Sequence, residues 1–230
     1  MGFFTLSDWM VRFGIPLETM EFFRRSGQKP DRLGVFPGTF NPVTVAHVAL
    51  AEAALAVVDE VVFVLPRRFP HKTYSGASFT QRVDLLAMAL GGEARFSVAA
   101  CEGGLFAEIA EECRQAYGAG VRLSILCGRD AAERVATWDY GSPAAFQEML
   151  QKFDLLVAAR SGEYCAPARL AGFCARLELN GTFDHVSASE VRARAGNGEP
   201  WEHLVPPAVR NQVGEFYAAR EKLPGPGIKG

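Results

Sequence analysis

The sequence lacks the cysteine spacing that marks a disulfide framework or a zinc site. Its five cysteines stand far apart with no CxxC pair, and their number is odd. In a chain of 230 residues, this pattern favours buried or free thiols in a reducing cytoplasm over a cross-linked or metal-bound framework. The residues are Cys101, Cys113, Cys127, Cys165 and Cys174.

A long apolar run, a basic leader and an excess of positive charge are also missing. No stretch approaches the roughly 20 apolar residues that a membrane helix needs, and the apolar N-terminus has no basic leader and meets Asp8 early. The formal net charge of −2 argues against a broad nucleic-acid surface but leaves room for a local cationic pocket. We therefore expect a cytoplasmic protein that binds neither membranes nor nucleic acids.

What the sequence does contain is an alternation of short apolar runs and helical patterns. Six runs are typical of strands, at residues 33–36, 60–65, 95–99, 121–127, 154–159 and 176–179. Apolar strands separated by helices predict an α/β fold: a Rossmann-like, doubly wound, mostly parallel sheet of five to six strands with helices on both faces. With 49% hydrophobic and 22% charged residues, a well-packed core is expected.

Three regions are predicted along the chain. Residues 1–32 form an added N-terminal helical element, because apolar residues between Trp9 and Phe23 recur at spacings near three or four, which suggests two short helices. Residues 33–222 form the main domain. Residues 223–230, rich in proline and glycine, form a disordered tail.

Neither of two common phosphate-binding loops, GxGxxG and GxxxxGK[ST], is present. Instead, a Gly/Pro turn follows the first predicted strand, and Thr44 and His47 open an alanine-rich helix. A helix N-terminus attracts phosphate, and residues three apart share a helix face. Thr44 and His47 are therefore candidates for one phosphate site, although an N-cap threonine and an ordinary helix histidine would give the same spacing.

A second candidate site follows the second predicted strand. Residues 66–72 hold three cations and a histidine, among them His71 and Lys72. Ligands bind beyond the carboxyl ends of strands in such a sheet. We interpret this loop as a clamp for an anionic substrate, to which Arg82 in the next helix could add, and the alternative is a solvated loop.

A third candidate site follows the strand predicted at 121–127. Gly128 permits a ligand to approach the backbone closely, and Asp130 can accept hydrogen bonds from a ribose or an amide. Trp138 can stack on a planar ring, although its spacing is equally typical of an ordinary core residue.

A fourth candidate site lies near the C-terminus. Ser187 or Ser189 can cap a helix, and Arg192 then lies one turn inside it. A guanidinium beside free backbone N–H groups binds phosphate oxygens in a forked geometry. Alone, this segment is more typical of a capped surface helix, but together with Thr44 and His47 it predicts that two distant segments grip one phosphorylated ligand.

These segments resemble the signatures of a known enzyme superfamily. The segment from Gly38 to His47 is similar to the (H/T)xGH signature of nucleotidylyltransferases, and residues 187–192 look like the ISSTxxR motif of its adenylyltransferases. Within that superfamily, residues 33–217 most resemble the nicotinate/nicotinamide mononucleotide adenylyltransferases. Further marks of that resemblance are Pro70-His71-Lys72, Phe79-Thr80-Gln81-Arg82, Gly128-Arg129-Asp130, Trp138 and the run Leu204-Val205-Pro206-Pro207-x-Val209.

The resemblance implies an adenylyltransferase that transfers AMP from ATP to the phosphate of nicotinate or nicotinamide mononucleotide and releases pyrophosphate, in NAD biosynthesis or salvage. The implied catalytic residues are His47, Thr44 and Arg192, with Mg²⁺ carried by ATP and no metal ligands on the protein. ATP would contact Gly38, Thr39, Phe40, Gly128, Asp130, Ser187 and Ser189. The second, small phosphorylated substrate would contact Lys72, His71, Arg82 and Trp138.

The chain departs from the family pattern at Thr44 (a histidine in most members), Ala46 (a glycine), Asn41 (an aspartate) and Ala188. Two other interpretations stay open: a nucleotidylyltransferase that acts on phosphopantetheine or a phosphorylated alcohol, and a nucleotide-binding protein that has lost catalysis. The sequence does not decide between the nicotinate and nicotinamide substrates, and it permits a homo-oligomer without determining the oligomeric state.

Overall fold

One mixed sheet organises the chain, and the computed structural model describes residues 20–67, 76–137, 142–158, 166, 168–170, 172–179 and 181–218. The sheet has seven strands in the order β1-β4-β3-β2-β5-β6-β7. They are β1 (Glu21–Arg24), β2 (Arg32–Pro37), β3 (Glu60–Pro66), β4 (Phe96–Cys101), β5 (Arg122–Gly128), β6 (Asp154–Ala158) and β7 (Cys174–Leu177). Strands β2 to β7 run parallel, and β1 is antiparallel to β4.

Helices follow most of the strands. They are α1 (Val45–Ala54), α2 (Phe79–Ala89), α3 (Phe106–Tyr117), α4 (Arg129–Thr137), α5 (Pro143–Leu150), α6 (Ala188–Asn197) and α7 (Arg210–Tyr217), with 3-10 turns at Ala168–Leu170, Glu202–Leu204 and Pro207–Val209. Side-chain caps determine where three of them begin. Thr44, Ser78 and Ser187 each accept a hydrogen bond from the backbone N–H three residues further on.

The central strand β3 shows why both faces of the sheet are covered. All seven of its residues are buried, and successive side chains enter opposite cores. Phe63 packs in a core with residues of α1, α2, α6 and α7, whereas Val62 and Val64 pack in a core with residues of α3, α4 and α5. A strand that is apolar on both faces needs helices on both sides, as parallel sheets generally have.

The strand order places a crevice at the carboxyl ends of β2 and β5. From β2 the chain steps to β3 and β4 on one side, then returns to β5 on the other side and continues to β6 and β7. In doubly wound sheets, ligands bind outside the carboxyl ends of the strands where the order reverses. The strand ends at Pro37, Pro66, Gly128 and Ala158 all line one cleft.

The predicted fold class is confirmed, and the six predicted strands correspond to β2–β7 with ends shifted by at most two residues. The predicted second N-terminal helix is wrong where the structure describes it, because residues 21–24 form strand β1. That segment pairs with the edge of β4, with Phe22 opposite Ala99. Helix α1 also ends at Ala54, whereas the alanine-rich pattern predicts a helix from Thr44 to Val58.

Several sequence expectations concern residues outside the described ones. Residues 1–19 and 219–230 are among these, so the three-region division and the disordered tail remain predictions. None of the helices in the described parts of the chain has the length and apolar character that crossing a bilayer requires. Cys101, Cys113 and Cys127 are buried thiols, which agrees with the spacing argument, and Cys165 lies outside the described residues.

Candidate active site

The N-terminus of helix α1 is built by a reciprocal pair of hydrogen bonds between Thr44 and His47. The Thr44 hydroxyl accepts from the backbone N–H of His47 at 3.4 Å, and Nδ1 of His47 accepts from the backbone N–H of Thr44 at 3.0 Å. The two side chains also meet, with Thr44 Oγ1 2.9 Å from Nδ1. This capping box uses histidine in the place where glutamate or glutamine usually stands.

The same contacts assign the tautomer of His47. A backbone N–H donates only to a ring nitrogen that carries no hydrogen. Because Nδ1 accepts from Thr44, the neutral imidazole carries its hydrogen on Nε2. The cap therefore turns one edge of the ring toward the backbone and makes the other edge a hydrogen-bond donor.

The loop between β2 and α1 is held by close packing around Gly38. Phe40 is only 2% exposed and adopts a left-handed backbone conformation with a φ of 44°. Its ring lies over Gly38, where an added β-carbon would come within 2.7 Å of Phe40 Cζ. The backbone N–H of Gly38 also donates to the carbonyl oxygen of Val64 in β3 at 3.0 Å. Only glycine fits this position without moving the loop.

Arg82 holds the same loop from helix α2. Its guanidinium donates through Nη1 to the carbonyl oxygen of Thr39 at 2.7 Å, and the residue is 4% exposed. The sequence assigns Arg82 to substrate binding, and the structure places its charged head beneath the loop. A buried guanidinium that reaches a backbone carbonyl orders the loop.

Arg192 joins the C-terminal part of the chain to this loop. Its Nη1 donates to the carbonyl oxygen of Asn41 at 2.5 Å, and its Nη2 donates to the Ser189 hydroxyl at 3.1 Å. Ser187 caps helix α6 by accepting from the backbone N–H of Glu190 at 3.0 Å. The two predicted phosphate segments, 151 residues apart at their contact, therefore lie side by side.

Tyr217 of helix α7 fastens the other side of Asn41. Its hydroxyl donates a short hydrogen bond to Asn41 Oδ1. Burial raises the pKa of Tyr217 to about 12, against the opposing effects of a hydrogen bond with the Ala77 backbone and of the nearby Arg192 and Arg82 guanidiniums. Tyr217 therefore remains a neutral donor across the physiological range. Sequence reasoning missed this residue, because nothing local to position 217 indicates a partner 176 residues earlier.

The loop at Gly38 and Thr39 and the start of α1 line a cleft of about 700 Å³, and Arg82, Arg192 and Tyr217 anchor the loop from outside the residues that line it. The cleft is lined at one end by the loop and the start of α1, and at the other by residues from α3, α4 and α5. Gly128 opens directly into space, since a β-carbon there would meet nothing within 4 Å. The residues that line the cleft include Gly38, Thr39, His47, Gly128, Leu105, Phe106, Arg134, Val135, Met149 and Lys152.

Apart from Arg82, Arg192, Ser187 and Ser189, which anchor the loop or the start of α6, the predicted site residues fall into three groups. Gly38, Thr39, His47 and Gly128 line the cleft, and Asp130 is exposed in the first turn of α4, beside the cleft-lining Ala131. Thr44 and Phe40 are buried and serve the cap and the loop. The third group lies outside the described residues, and its roles remain predictions: His71, Lys72 and Trp138.

Sequence reasoning also missed two cations at the far end of the cleft. Arg134 in α4 and Lys152 just after α5 both line it. Both side chains are exposed, as are their neighbours Glu133 and Gln151, so the sequence contains no signal that distinguishes them. Among the described side chains, no group of three or more His, Cys, Asp and Glu residues is arranged to hold a metal ion.

The capped start of α1, the Arg192 guanidinium bonded to the loop before it and the crevice at the reversal of strand order agree with the predicted nucleotidylyltransferase class. The family model described as cytidylyltransferase-like matches residues 35–194, which include both His47 and Arg192. The chain belongs to the cytidylyltransferase-like family.

Comparison with similar proteins identifies the group within this family to which the chain belongs. A protein of Treponema pallidum (strain Nichols), named "Probable nicotinate-nucleotide adenylyltransferase", is 33% identical over 204 residues, which cover 79% of this chain and 96% of that protein. One of the same name from Coprothermobacter proteolyticus is 28% identical over 206 residues, with 82% and 95% covered. Within its family, the chain belongs with the nicotinate-nucleotide adenylyltransferases, so the enzyme class and the family resemblance predicted from the sequence are confirmed.

Solved structures support the fold. The nicotinic acid mononucleotide adenylyltransferase of Plasmodium falciparum complexed with APC superposes with a TM-score of 0.62 at 13% identity, covering 80% of this chain and 94% of that chain. The same enzyme complexed with NaAD gives a TM-score of 0.59, with 81% and 90% covered. At this identity the likeness concerns the fold alone.

Proposed function

We propose that this chain transfers AMP from Mg·ATP to the phosphate of nicotinate mononucleotide and releases pyrophosphate. The observation that carries the proposal is the bond from Arg192 to the Asn41 carbonyl, which brings a guanidinium beside the start of α1. A triphosphate spanning the two would meet His47 at one end and Arg192 at the other. The choice of acceptor rests on the similarity to proteins named nicotinate-nucleotide adenylyltransferases.

The reaction is an in-line displacement at phosphorus. An oxygen of the acceptor phosphate attacks the α-phosphorus of ATP and forms the new P–O bond. The bond from the α-phosphorus to the oxygen that bridges to the β-phosphorus breaks, and that oxygen leaves with pyrophosphate. The attacking oxygen is already anionic, so no base is needed, and catalysis consists of positioning and charge stabilisation.

The tautomer of His47 allows the imidazole to donate a hydrogen bond to the α-phosphate. With Nδ1 bound to Thr44, the Nε2 hydrogen can be donated to an α-phosphate oxygen as charge develops. The positive end of the α1 dipole adds to this stabilisation. Thr44 acts here as a positioning residue, because it is fully buried and its hydroxyl contacts the imidazole.

Arg192 suits the β- and γ-phosphates and the departing pyrophosphate. A guanidinium has five N–H donors, and the bonds to Asn41 and Ser189 use one each from Nη1 and Nη2. The same group can therefore be fixed by the protein and still donate to phosphate oxygens. The capped N-terminus of α6 at Ser187 lies on the same segment and adds a second positive helix end.

We assign Mg²⁺ to the substrate rather than to the protein. Mg²⁺ keeps several waters and binds through phosphate oxygens when a site offers few carboxylates. When it is bound to the phosphates of ATP, Mg²⁺ would lower the electrostatic repulsion between the two anionic reactants.

The far end of the cleft suits the acceptor. Phe106, Val135 and Met149 provide an apolar wall for an aromatic ring, and Arg134 and Lys152 provide positive charge near an anionic substrate. In this proposal His71, Lys72 and Trp138 complete the acceptor site, as the family resemblance implies. A cytoplasmic location also belongs to the proposal, because ATP and mononucleotides are cytoplasmic substrates.

A pyrophosphate-release assay tests the proposal. Purified protein is supplied with Mg·ATP and, in separate reactions, nicotinate mononucleotide, nicotinamide mononucleotide or phosphopantetheine. We expect fastest release with nicotinate mononucleotide and formation of its dinucleotide product. Faster pyrophosphate release with phosphopantetheine would show that phosphopantetheine, and not nicotinate mononucleotide, is the acceptor. ATP binding without pyrophosphate release from any acceptor would overturn the proposed catalysis.

A further inference from the structure

The side chain of Phe79, the first residue of α2, lies between two guanidiniums. Arg82 Cζ is 5.5 Å from the ring centroid, and Arg67 Cζ is 4.8 Å from it. Both distances are within the range of cation–π attraction. Phe79 therefore links the end of β3, where Arg67 lies, to the arginine that holds the Thr39 carbonyl.

Strand β1 supplies the outer part of this arrangement. Glu21 forms an ion pair with Arg67, whose Nε also lies 3.2 Å from Glu102 Oε1. Phe23 packs edge-on against Phe79, with ring centroids 6.3 Å apart. Glu21 and Phe23 therefore both reach this cluster, from a strand whose pairing with β4 shifts register between Phe22 and Arg24.

Phe22, the intervening residue of β1, points the other way. Its ring packs edge-on against Tyr117 at 5.6 Å, beside the core that contains α3. Phe23 is 40% exposed, so its contact with Phe79 contributes little to the core. The chain thus offers two adjacent aromatic residues on opposite faces of one strand, of which only Phe23 contacts the cluster.

The inner end of the cluster is the loop that lines the cleft. Arg82 donates to Thr39 at 2.7 Å, and Thr39 lines the cleft beside Gly38 and His47. The Arg82 guanidinium thus contacts both the Phe79 ring and the Thr39 carbonyl. A shift of Phe79 would therefore change how Arg82 holds the Thr39 carbonyl.

We propose that strand β1 is a positioning element for the nucleotide site and that Phe23 and Phe79 are positioning residues for the loop at Gly38 and Thr39. The inference rests on the proposed function, since it assigns this loop to ATP. Strand β1 lies outside residues 35–194 that the family model matches. The chain thus uses a strand from beyond the family core to brace the ATP loop.

A looser loop should weaken the binding of ATP equally in the ground state and in the transition state. Interactions of that kind appear in KM and leave kcat little changed. We expect Phe23→Ala and Phe79→Leu to raise KM for Mg·ATP by about threefold to tenfold, with kcat within about twofold of wild type. Phe79→Tyr keeps an aromatic ring and should restore the wild-type KM.

The experiment pairs steady-state kinetics with hydrogen exchange on the full chain without ligand. In Phe23→Ala and Phe79→Leu, amides of residues 38–44 should exchange at least about threefold faster than in wild type. Phe22→Ala is the matched control, and it should lower thermal stability while leaving both the exchange of 38–44 and the KM for Mg·ATP unchanged.

Each outcome decides the inference. Equal exchange at 38–44 in Phe23→Ala, Phe79→Leu and wild type would overturn it, as would the same change in Phe22→Ala. A wild-type protein that releases no pyrophosphate would refute the proposed function instead, and the exchange data would still show whether β1 braces the loop.

Discussion

Thr44 and His47 cap each other at the start of α1, and this pairing decides how the imidazole can act. Nδ1 accepts from the Thr44 backbone at 3.0 Å and lies 2.9 Å from its hydroxyl. The ring is therefore oriented by a helix cap before any ligand binds. An imidazole oriented in advance stabilises developing charge without the cost of reorganising during the reaction.

We expect His47→Ala to lower kcat by about 10²–10³, equivalent to about 2.7–4 kcal/mol of transition-state stabilisation. Pyrophosphate release at saturating Mg·ATP and nicotinate mononucleotide measures this loss. Circular dichroism should show a folded protein, because losing one cap costs only about 1 kcal/mol. Thr44→Ser keeps the hydroxyl and should retain most of the turnover. A folded His47→Ala protein with near wild-type kcat would remove His47 from the mechanism.

Arg192→Ala should impair the enzyme at the other end of the triphosphate. The variant loses the bond to the Asn41 carbonyl and the donors proposed for pyrophosphate, so kcat/KM for ATP should fall by about 10²–10³. Arg192→Lys should retain only part of the wild-type kcat/KM for ATP, because an ammonium cannot reproduce the forked geometry of a guanidinium.

The matched control is Arg194→Ala in the same helix. Arg194 pairs with Glu190 at 2.6 Å, and both side chains are partly exposed. Exposed pairs contribute about 0–1 kcal/mol, so this variant should keep its activity and nearly all of its stability. Similar kinetic losses at positions 192 and 194 would mean that helix α6 matters for general reasons and that Arg192 has no special role.

Two glycine substitutions distinguish the packing of the loop from the space that is open to the ligand. In Gly38→Ala the new methyl group would meet Phe40 at 2.7 Å, so we expect a loss of about 1–3 kcal/mol in unfolding free energy. Gly128→Ala adds a methyl group with nothing within 4 Å, so stability should change by less than about 0.5 kcal/mol. Because that methyl group enters the cleft, KM for Mg·ATP should rise about tenfold.

Gly120→Ala is the control for both glycine variants. Position 120 also has open space around an added β-carbon, and it is not among the residues that line the cleft. Denaturant unfolding and ATP kinetics should both match wild type. An unchanged KM in Gly128→Ala would mean that ATP does not approach the end of β5.

Most of the sheet is predictable from the sequence because its strands are apolar on both faces. Residues 61–65, for example, have no polar side to expose, and a parallel sheet covered on both faces accommodates them. Strand β1 was not predictable in the same way. Its four residues carry apolar side chains at Phe22 and Phe23 together, and their conformation follows from pairing with β4 across more than 70 residues of sequence.

The site was predictable where residue type and local spacing carry the chemistry. Thr44 and His47 are three apart in a helix start, and the helix places them together as expected. The spacing could not show that the Thr44 hydroxyl would contact the ring. Asn41, Tyr217 and Arg82 escaped assignment as loop anchors because each acts on a partner more than 40 residues away.

Tyr217→Phe tests the bond to Asn41 and predicts a pH dependence. At pH 7 the loss of one hydrogen bond should cost about 1 kcal/mol. Burial raises the pKa of Tyr217 from 10.0 to about 12, so between those pH values the unfolded chain has lost a proton that the folded chain keeps. Stability must therefore fall as pH rises from 10 to 12, and it is independent of this group below pH 10.

Denaturant unfolding of both proteins at several pH values measures the effect. The wild type should lose more stability than Tyr217→Phe between pH 10 and pH 12, so the difference between them should shrink. Parallel curves for the two proteins across that range would contradict the placement of a buried, protonated Tyr217 beside Asn41.

A last prediction concerns a polar cluster at the opposite end of β3 from the cleft. Glu60, the first residue of β3, is 1% exposed. Its Oε1 accepts from the Ser97 hydroxyl at 2.6 Å and from the Tyr117 hydroxyl at 2.5 Å. Burial, followed by the hydrogen bond to Glu60, raises the pKa of Tyr117 well above its usual range, which keeps this hydroxyl a donor. The carboxylate therefore satisfies two buried donors from two other elements.

Glu60→Leu should leave both hydroxyls without their acceptor, at about 1–3 kcal/mol for each. Glu60→Gln keeps a carbonyl oxygen and should be milder, and Tyr117→Phe, which removes one donor only, should fall between Glu60→Leu and wild type. Because the cluster lies at the amino end of a strand whose carboxyl end borders the cleft, all three variants should retain wild-type kcat and KM below their unfolding temperatures. Reduced turnover in a folded Glu60→Gln protein would show that this cluster is coupled to the site, and an undiminished stability of Glu60→Leu would show that the two hydroxyls find other acceptors.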